Sequence, residues 1–350
     1  MRWIGVLAAA VLATVGGLAL AQPTPSARPH RHRPPAPAAA PATPPAEMAG
    51  LIGQYGTGIT NLLDIYERDG ALHAQGQGLN TARLERRSAD VWASGAIQLE
   101  FSREAGGRGS AVTLRGKTLQ RVDLGAGAEA RIRAGVRADP ARLRAAARAA
   151  SPPAQPGAKR RSDLVDLRTI DPTIRFDIRY ATANNFMGIP LYERPAAFLQ
   201  RPAAEALGRA NARLKAAGYG LLIHDAYRPW FVTRMFWDAT PPENRIFVAN
   251  PANGSRHNRG AAVDLTLYEL STGRAVEMPG RYDELSRRSY ADYFGGTTRQ
   301  RWLRDLLRRE MEAQGFTVIA EEWWHFDYQG WRDWGLGNRT FDELSWPGGR

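Results

Sequence analysis

The stretch TVIAEEWWHFDY, residues 317–328, combines a strand pattern with groups that can carry chemistry. Its β-branched and aromatic residues alternate, which predicts a single β-strand. Glu322 and His325 stand three residues apart within it, on either side of two tryptophans. Two interpretations compete: a core strand with an incidental histidine, or one part of a metal site.

The segments around this strand predict an α+β domain. Residues 299–316, RQRWLRDLLRREMEAQGF, have the spacing of an amphipathic helix that Gly315 closes. Residues 206–220 also have helical spacing, and LLIHDAY, residues 221–227, is typical of a buried strand. Strands and helices in mixed order favour a mixed, mainly antiparallel sheet with flanking helices.

The whole chain is predicted to contain five segments. Asp69-Gly70 between alternating runs predicts a hairpin, and Asp139-Pro140 predicts the start of a basic helix. The segments are a signal peptide (1–21), a Pro/Ala-rich linker (22–47), a small all-β meander domain (48–126), a basic helix with a Pro-rich linker (127–161) and a C-terminal catalytic domain (162–350).

The first residues predict export from the cytosol. Arg2 precedes an apolar run, and Ala19-Leu20-Ala21 is typical of a signal-peptide cleavage site. We expect cleavage after Ala21, with no membrane span in the mature chain and a location in the periplasm or cell envelope. The alternative is that the segment stays uncleaved as an N-terminal anchor.

The composition excludes several kinds of chemistry. The chain has 350 residues and no cysteine, which excludes disulfides and thiolate metal ligands. The net charge is +12, but the excess lies in residues 1–162, with 22 Lys and Arg against 11 Asp and Glu. The remaining residues carry 25 against 24. No nucleic-acid motif accompanies the basic residues, so nucleic acid is not a predicted partner.

A histidine and an aspartate seven residues apart provide a second part of a metal site. His257 lies in SRHNRGAAVDLTL, and Asp264 opens the apolar alternating run. A loop followed by a strand brings both to one strand end, where His325 can join them. Zinc accepts two imidazoles and one carboxylate, with a fourth position for water, in catalytic rather than structural sites. His224 has no partner at this spacing and is predicted to be structural, and His73 is predicted to lie on a strand face.

Two further residues complete a hydrolytic site. Glu322 is the candidate general base for a water whose pKa the metal lowers. The other carboxylate, Glu321, is expected to point to the opposite face of the strand. Arg228 in DAYRP is restricted by Pro229 and is the candidate for stabilising the oxyanion formed on a peptide carbonyl. The alternative for Arg228 is an ion pair with Asp225 that holds a loop.

In this order, DAYRP, SRHNRGAAVDLTL and EWWHF resemble the D-alanyl-D-alanine dipeptidases, a branch of the zinc D,D-peptidases. The resemblance extends over residues 163–330 and includes RYATANNFMGIPLY, GRYDELSRRSY and GFTVIAEEWWHF. It implies the α+β fold of zinc D,D-peptidases and Hedgehog-like domains. The signal peptide, the linker and the β domain lie outside it.

The resemblance also implies a role for each site residue. One zinc ion would be held by His257, Asp264 and His325. Glu322 would be the general base, and Arg228 would stabilise the transition state.

Three positions match residues that hold the substrate in that family: Tyr180, Ser255 and Asp283. One departure is visible, because Arg256 stands where a small polar residue is expected. This arginine either narrows the pocket or faces solvent.

The implied activity is zinc-dependent hydrolysis of the D-Ala-D-Ala dipeptide to free D-alanine in peptidoglycan metabolism. One alternative is a D,D-carboxypeptidase or endopeptidase that acts on peptidoglycan stems. Another is a non-catalytic wall-binding protein whose zinc is structural. The expected partners are the small dipeptide and, through the N-terminal β domain, peptidoglycan.

Overall fold

The computed structural model of the protein describes residues 39–344, which belong to one compact unit. The predicted signal peptide and most of the predicted Pro/Ala-rich linker, with His30 and His32, lie outside the described residues. Among the residues that are described, no helix has the length and apolar character needed to cross a membrane.

The regular elements alternate between strands and helices along the chain. The helices are α1 (Ala46–Ala49), α2 (Ala126–Ala138), α3 (Pro140–Ala149), α4 (Arg201–Lys215), α5 (Trp230–Ala239) and α6 (Thr298–Glu312). The strands are β1 (Gly53–Gly56), β2 (Leu63–Arg68), β3 (Ala71–Gly76), β4 (Leu79–Arg83), β5 (Glu85–Arg86), β6 (Val91–Ser94), β7 (Ile97–Arg103), β8 (Gly109–Leu114), β9 (Lys117–Val122), β10 (Leu164–Asp166), β11 (Arg175–Phe176), β12 (Phe198–Gln200), β13 (Tyr219–Asp225), β14 (Ala262–Glu269), β15 (Phe316–Ile319) and β16 (Glu322–Tyr328).

The first nine strands form one antiparallel sheet, which we call the N-terminal sheet. Its strand order is β4-β3-β2-β1-β9-β8-β7-β6-β5. Asp69 and Gly70 form the predicted turn between β2 and β3, with φ of 51° and 79°. Both residues adopt the left-handed conformation that two-residue hairpins require. His73 lies on β3 and stacks on Tyr66, as expected for a strand-face residue.

Two helices follow the N-terminal sheet. Asp139 caps α3 by accepting a hydrogen bond from the Arg142 N–H at 2.9 Å, as its position before a proline predicted. Sequence patterns did not predict α2, whose surface is rich in alanine, glycine and arginine. Its buried residues Ala128, Ile132 and Val136 recur every four positions and pack into the core of the C-terminal part of the chain.

The C-terminal part has the predicted mixed, mainly antiparallel architecture. Its five-stranded sheet has the order β11-β13-β14-β16-β15, and only the β11–β13 pair of this sheet is parallel. Helix α6 lies where the periodicity placed it, whereas α4 begins and ends earlier than the predicted range 206–220, whose last two residues belong to β13. The two helices pack on β15 and β13, respectively. Strands β10 and β12 form a separate antiparallel pair.

The predicted single strand over residues 317–328 is instead a hairpin. Strand β15 pairs with β16, with Thr317 opposite Asp327, and the chain turns at Ala320 and Glu321. The apolar alternation stops at this point, because two adjacent acidic residues follow Ala320. A register shift after Val318 accommodates the turn and places Glu322 at the start of β16.

Candidate metal centre and active site

The register of the central sheet brings three ligand-type side chains together. Asp264 of β14 lies directly opposite His325 of β16, and His257 reaches the same point from a 3₁₀ helix that precedes β14. The Nε2 atom of His257 lies 3.0 Å from His325 Nδ1 and 3.2 Å from Asp264 Oδ1. Asp264 Oδ1 and His325 Nδ1 are 3.0 Å apart. All three side chains are buried.

The far side of each imidazole is held by a second partner. Nδ1 of His257 lies 2.6 Å from the Ala226 carbonyl oxygen, which can only accept, so this nitrogen carries the proton. Nε2 of His325 lies 2.9 Å from Asp327 Oδ1. Such partners orient metal-binding imidazoles and leave the other ring nitrogen free to coordinate.

These residues fit a zinc ion. Zinc bonds to imidazole nitrogen and carboxylate oxygen are about 2.0–2.2 Å long, so tetrahedral ligand atoms lie roughly 3.3 Å apart. The three atoms His257 Nε2, Asp264 Oδ1 and His325 Nδ1 are spaced at 3.0–3.2 Å. The ring partners described above complete the arrangement.

The charges in this cluster are strongly linked. Burial opposes ionisation of Asp264, but the imidazoles of His257 and His325 lower its pKa well below its usual range. Burial also opposes a charge on His325, yet hydrogen bonds with Asp264 and Asp327 raise the pKa of His325 to about 10. A proton on His325 therefore competes with a metal ion for this position.

Glu322 lies beside the cluster. Its Oε2 atom is 3.6 Å from His325 Nδ1. Burial, assisted by the charge of Asp264, raises the pKa of Glu322 to about 7 despite the opposing effect of His325. Such a pKa suits a group that exchanges protons near neutral pH.

The expected reason for preferring Glu322 over Glu321 was wrong. Glu321 lies in the hairpin turn and not on the strand, so strand alternation does not turn it away. Both carboxylates border the cavity at the cluster. Proximity to His325 distinguishes Glu322.

Arg228 is buried and borders the same cavity. Its Nε donates to Asp225 Oδ2 at 2.9 Å, and the guanidinium lies 3.7 Å from Asp264 Oδ2. The rings of Tyr180 and Phe236 face its cationic group at 5.3 and 4.7 Å. The sequence left two roles open for Arg228, an ion pair with Asp225 and stabilisation of an oxyanion. They are compatible, because the ion pair with Asp225 fixes Arg228 where it borders the cavity.

The three predicted substrate-binding residues also border this cavity. The Tyr180 hydroxyl donates to Asp283 at 2.9 Å. The buried Ser255 hydroxyl accepts from the backbone N–H of His257 at 3.2 Å. Burial and the nearby charge of Asp264 raise the pKa of Asp283 well above its usual range.

The arginines near Asp283 pair with other carboxylates. Arg287 binds Asp64, and Arg288 lies 3.5 Å from Glu284. Arg281 lies within 4 Å of Glu284 as well. Asp283 is thus turned inward, towards Tyr180, rather than into a surface ion pair.

Sequence reasoning missed two residues that support the ligands. Asp327, described above, stands two positions after His325, on the same face of β16, so the HxD spacing was a usable signal. The Tyr282 hydroxyl donates to Asp264 Oδ2 at 3.0 Å. Nothing in the local sequence marks Tyr282, because loop folding brings it to the centre.

The structure also places Arg256, whose role the sequence left open, and His224, which was predicted to be structural. Arg256 lies 3.2 Å from Asp327 Oδ2 and over the Trp331 ring at 4.8 Å. It borders the cavity and supports the carboxylate behind His325. His224 is buried, packs on the Tyr282 ring at 4.6 Å, and has its pKa lowered to about 4 by burial. A neutral packing role agrees with the structural role predicted for it.

The cavity around the cluster has a volume of about 360 Å³ and accommodates a small ligand. Two histidines and an aspartate at metal-ligand spacing, with a nearby carboxylate and an arginine, are the parts of a hydrolytic metal centre. A sequence model of the Peptidase M15 family, described as D-ala-D-ala dipeptidase, matches residues 160–343. The chain therefore belongs to the D-Ala-D-Ala dipeptidase family.

Pairwise comparison with individual proteins supports the same family assignment. The chain is 35% identical over 166 residues to the D-alanyl-D-alanine dipeptidase of Escherichia coli K12, a match that covers 47% of this chain and 84% of that protein. It is 36% identical over 171 residues to the enzymes of that name from Enterococcus faecium and Streptomyces coelicolor. Each of these two matches covers 44% of this chain and 85% of the relative.

The ligand geometry generates a prediction about metal content. His257→Ala, Asp264→Ala and His325→Ala should each lose bound zinc, because each removes one of three protein ligands. Asp327→Ala should keep the site but weaken zinc affinity by about 10–100-fold, the usual effect of losing a supporting carboxylate. Metal content after dialysis against graded chelator measures both effects.

His73→Ala is the control, since His73 lies on the N-terminal sheet. It should bind zinc like the unmodified protein. Full zinc content in folded Asp264→Ala would show that the ligand set is wrong.

Proposed function

We propose that this chain is a zinc-dependent dipeptidase that hydrolyses D-Ala-D-Ala to two molecules of D-alanine in cell-wall metabolism. The observation that carries the proposal is the buried cluster of His257, Asp264 and His325 with Glu322 3.6 Å from His325, within the family match. His257, Asp264 and His325 would hold the zinc ion. When bound, zinc acidifies water and polarises a carbonyl group.

Glu322 serves as the proton carrier. It accepts a proton from the attacking water and passes it to the amine nitrogen that leaves. Burial raises the pKa of Glu322, which favours a carboxylate that holds this proton between the two steps. Its position at the first residue of β16 fixes it relative to His325.

Arg228 stabilises the charge that develops on the scissile carbonyl oxygen. Its ion pair with Asp225 fixes the guanidinium before substrate binds, so little reorganisation is needed during reaction. Tyr192 donates to Asp225 at 2.7 Å and holds that carboxylate in turn.

Asp283, Tyr180 and Ser255 recognise the free ammonium end of the dipeptide. A carboxylate in a buried site binds an ammonium strongly, and neutral oxygens accept its further N–H bonds. The raised pKa of Asp283 reflects burial without a cation at hydrogen-bonding distance, and a substrate ammonium supplies one.

We also propose that the chain acts outside the cytosol, in the periplasm or cell envelope. The support is the apolar run after Arg2 and the Ala19-Leu20-Ala21 pattern. Protein isolated from an envelope fraction should begin at Gln22. A cytosolic protein that retains Met1 would overturn this localisation.

The role of Glu322 can be tested separately from metal binding. Glu322→Gln should stay folded and zinc-loaded while kcat falls by at least about two orders of magnitude, the usual contribution of a general base. The matched control is Glu321→Gln, which removes the adjacent charge at the same cavity. Loss of turnover in Glu321→Gln, with normal turnover in Glu322→Gln, would show that Glu321 and not Glu322 is the general base.

Substrate choice separates the dipeptidase from a D,D-carboxypeptidase or endopeptidase. Free D-Ala-D-Ala should be cleaved far better than its N-acetyl derivative, which lacks the ammonium group. Asp283→Ala should cost about 2–5 kcal/mol in kcat/KM for the free dipeptide, because a buried charge partner is lost.

The N-acetyl dipeptide provides the internal control, since Asp283→Ala should change its kcat/KM little. A kcat/KM ratio near one for the two substrates with the unmodified enzyme would favour the carboxypeptidase alternative. Zinc binding without cleavage of dipeptide, pentapeptide stem or intact wall would favour the non-catalytic one.

A further inference from the structure

The N-terminal sheet packs against the loop that carries Asp283. We call residues 279–297, which lead into α6, the Asp283 loop. The sheet precedes the family match at residues 160–343, so this contact is additional to what the family implies. We propose that β1 and β2 brace the Asp283 loop and that Asp64 is a positioning residue for recognition of the substrate ammonium. The proposal rests on the proposed function, in which Asp283 binds that group.

The first anchor joins the middle of the loop to β1 and β2. Gln54 and Asp64 lie opposite each other on these strands. Arg287 of the loop donates to the Asp64 carboxylate, and Gln54 Nε2 donates to Asp64 Oδ1 at 3.2 Å. Gln54 Nε2 also contacts the hydroxyl of Tyr293. The side chains of Gln54 and Asp64 are only 3% and 4% exposed, so they face the loop and not the solvent.

The second anchor holds the end of the loop where α6 begins. Glu67 of β2 accepts hydrogen bonds from the backbone N–H and the hydroxyl of Thr298 at 2.7 and 3.1 Å. The backbone N–H of Glu67 donates to the Gly296 carbonyl at 3.0 Å. A carboxylate at this position also interacts favourably with the helix dipole. One strand, β2, therefore fixes the loop at two points.

The conformation of Asp283 explains why the loop needs support. Asp283 has a φ of +58°, in the left-handed region that non-glycine residues seldom adopt. Such residues persist where the surrounding structure holds them. The Tyr180 hydroxyl donates to the Asp283 side chain, and Asp64 accepts from Arg287, four residues later in the loop.

The Asp64 pair is better suited to orientation than to stability. Burial raises the pKa of Asp64, although Arg287 and Gln54 oppose the shift. The attraction of these partners thus does not fully offset the desolvation of the carboxylate. We therefore expect this half-buried pair to contribute little net stability and to orient the loop instead.

The test measures KM and kcat for D-Ala-D-Ala in the full-length, zinc-loaded protein, at a temperature well below the Tm of every variant. Asp64→Ala should raise KM roughly tenfold, because displacing a binding group by about 1 Å can cost up to 10²-fold. The kcat and the zinc content should change little. Arg287→Ala should have the same effect, and the double variant should be no worse than either single one.

Three further variants separate positioning from general damage. Asp64→Asn keeps a hydrogen-bond acceptor, so its KM should be close to that of the unmodified protein and well below that of Asp64→Ala. Asp90→Ala is the matched control, since Asp90 binds Arg103 within the N-terminal sheet at 2.6 Å. It should leave KM unchanged. In an Asp283→Ala background, Asp64→Ala should add no further increase in KM, because its effect acts through Asp283.

Amide hydrogen exchange provides a readout that does not depend on activity. Exchange over residues 280–290 should be faster in Asp64→Ala than in the unmodified protein or Asp90→Ala. If Asp64→Ala lowers the Tm but leaves KM and the exchange of this segment unchanged, Asp64 does not position the Asp283 loop and the proposal is wrong. If the unmodified protein fails to cleave D-Ala-D-Ala, the proposed function fails, and the exchange result alone decides whether Asp64 braces the loop.

Discussion

The pairing register of β14 with β16 is the constraint on which the site depends. It places Asp264 opposite His325, and the neighbouring register sets Asp225 opposite Asp264. A slip of one residue would turn these side chains to the other face of the sheet. Val263 and Phe326, which pair one position away, are fully buried and hold the register through packing. The same hydrophobic pattern that stabilises the sheet therefore also places the ligands.

The sequence predicted the ligand cluster better than the chain path around it. The HxxxxxxD spacing placed His257 and Asp264 at one strand end, with His325 joining them from another strand, and the three side chains meet in the structure. The hairpin turn at Ala320 and Glu321 was missed, because the β-branched and aromatic residues before and after it were read as one strand although two adjacent acidic residues interrupt them. Asp327 was within reach of strand periodicity, whereas Tyr282 was not, since loop closure has no local signature.

The packing of the N-terminal sheet against the Asp283 loop could not be predicted from the sequence either. Alternating strands and turn residues predicted a β-meander, but they carry no information about which face meets the rest of the chain. Asp64 and Glu67 are buried acidic residues on β2, and their partners Arg287 and Thr298 lie more than 220 positions away. Such residues look like ordinary polar strand positions in sequence. Only the folded chain shows that they contact the Asp283 loop and the start of α6.

Charge balance links the metal site to substrate recognition. Asp225, Asp264, Asp283 and Glu322 converge on one region, where Arg228 is paired with Asp225. Burial and the charge of Asp264 raise the pKa values of Asp283 and Glu322, so Arg228 and His325 do not offset the effect of burial on these two carboxylates. A divalent ion beside Asp264 and an ammonium beside Asp283 would each reduce this repulsion. These carboxylates therefore suit the metal ion and the ammonium group of the proposed function.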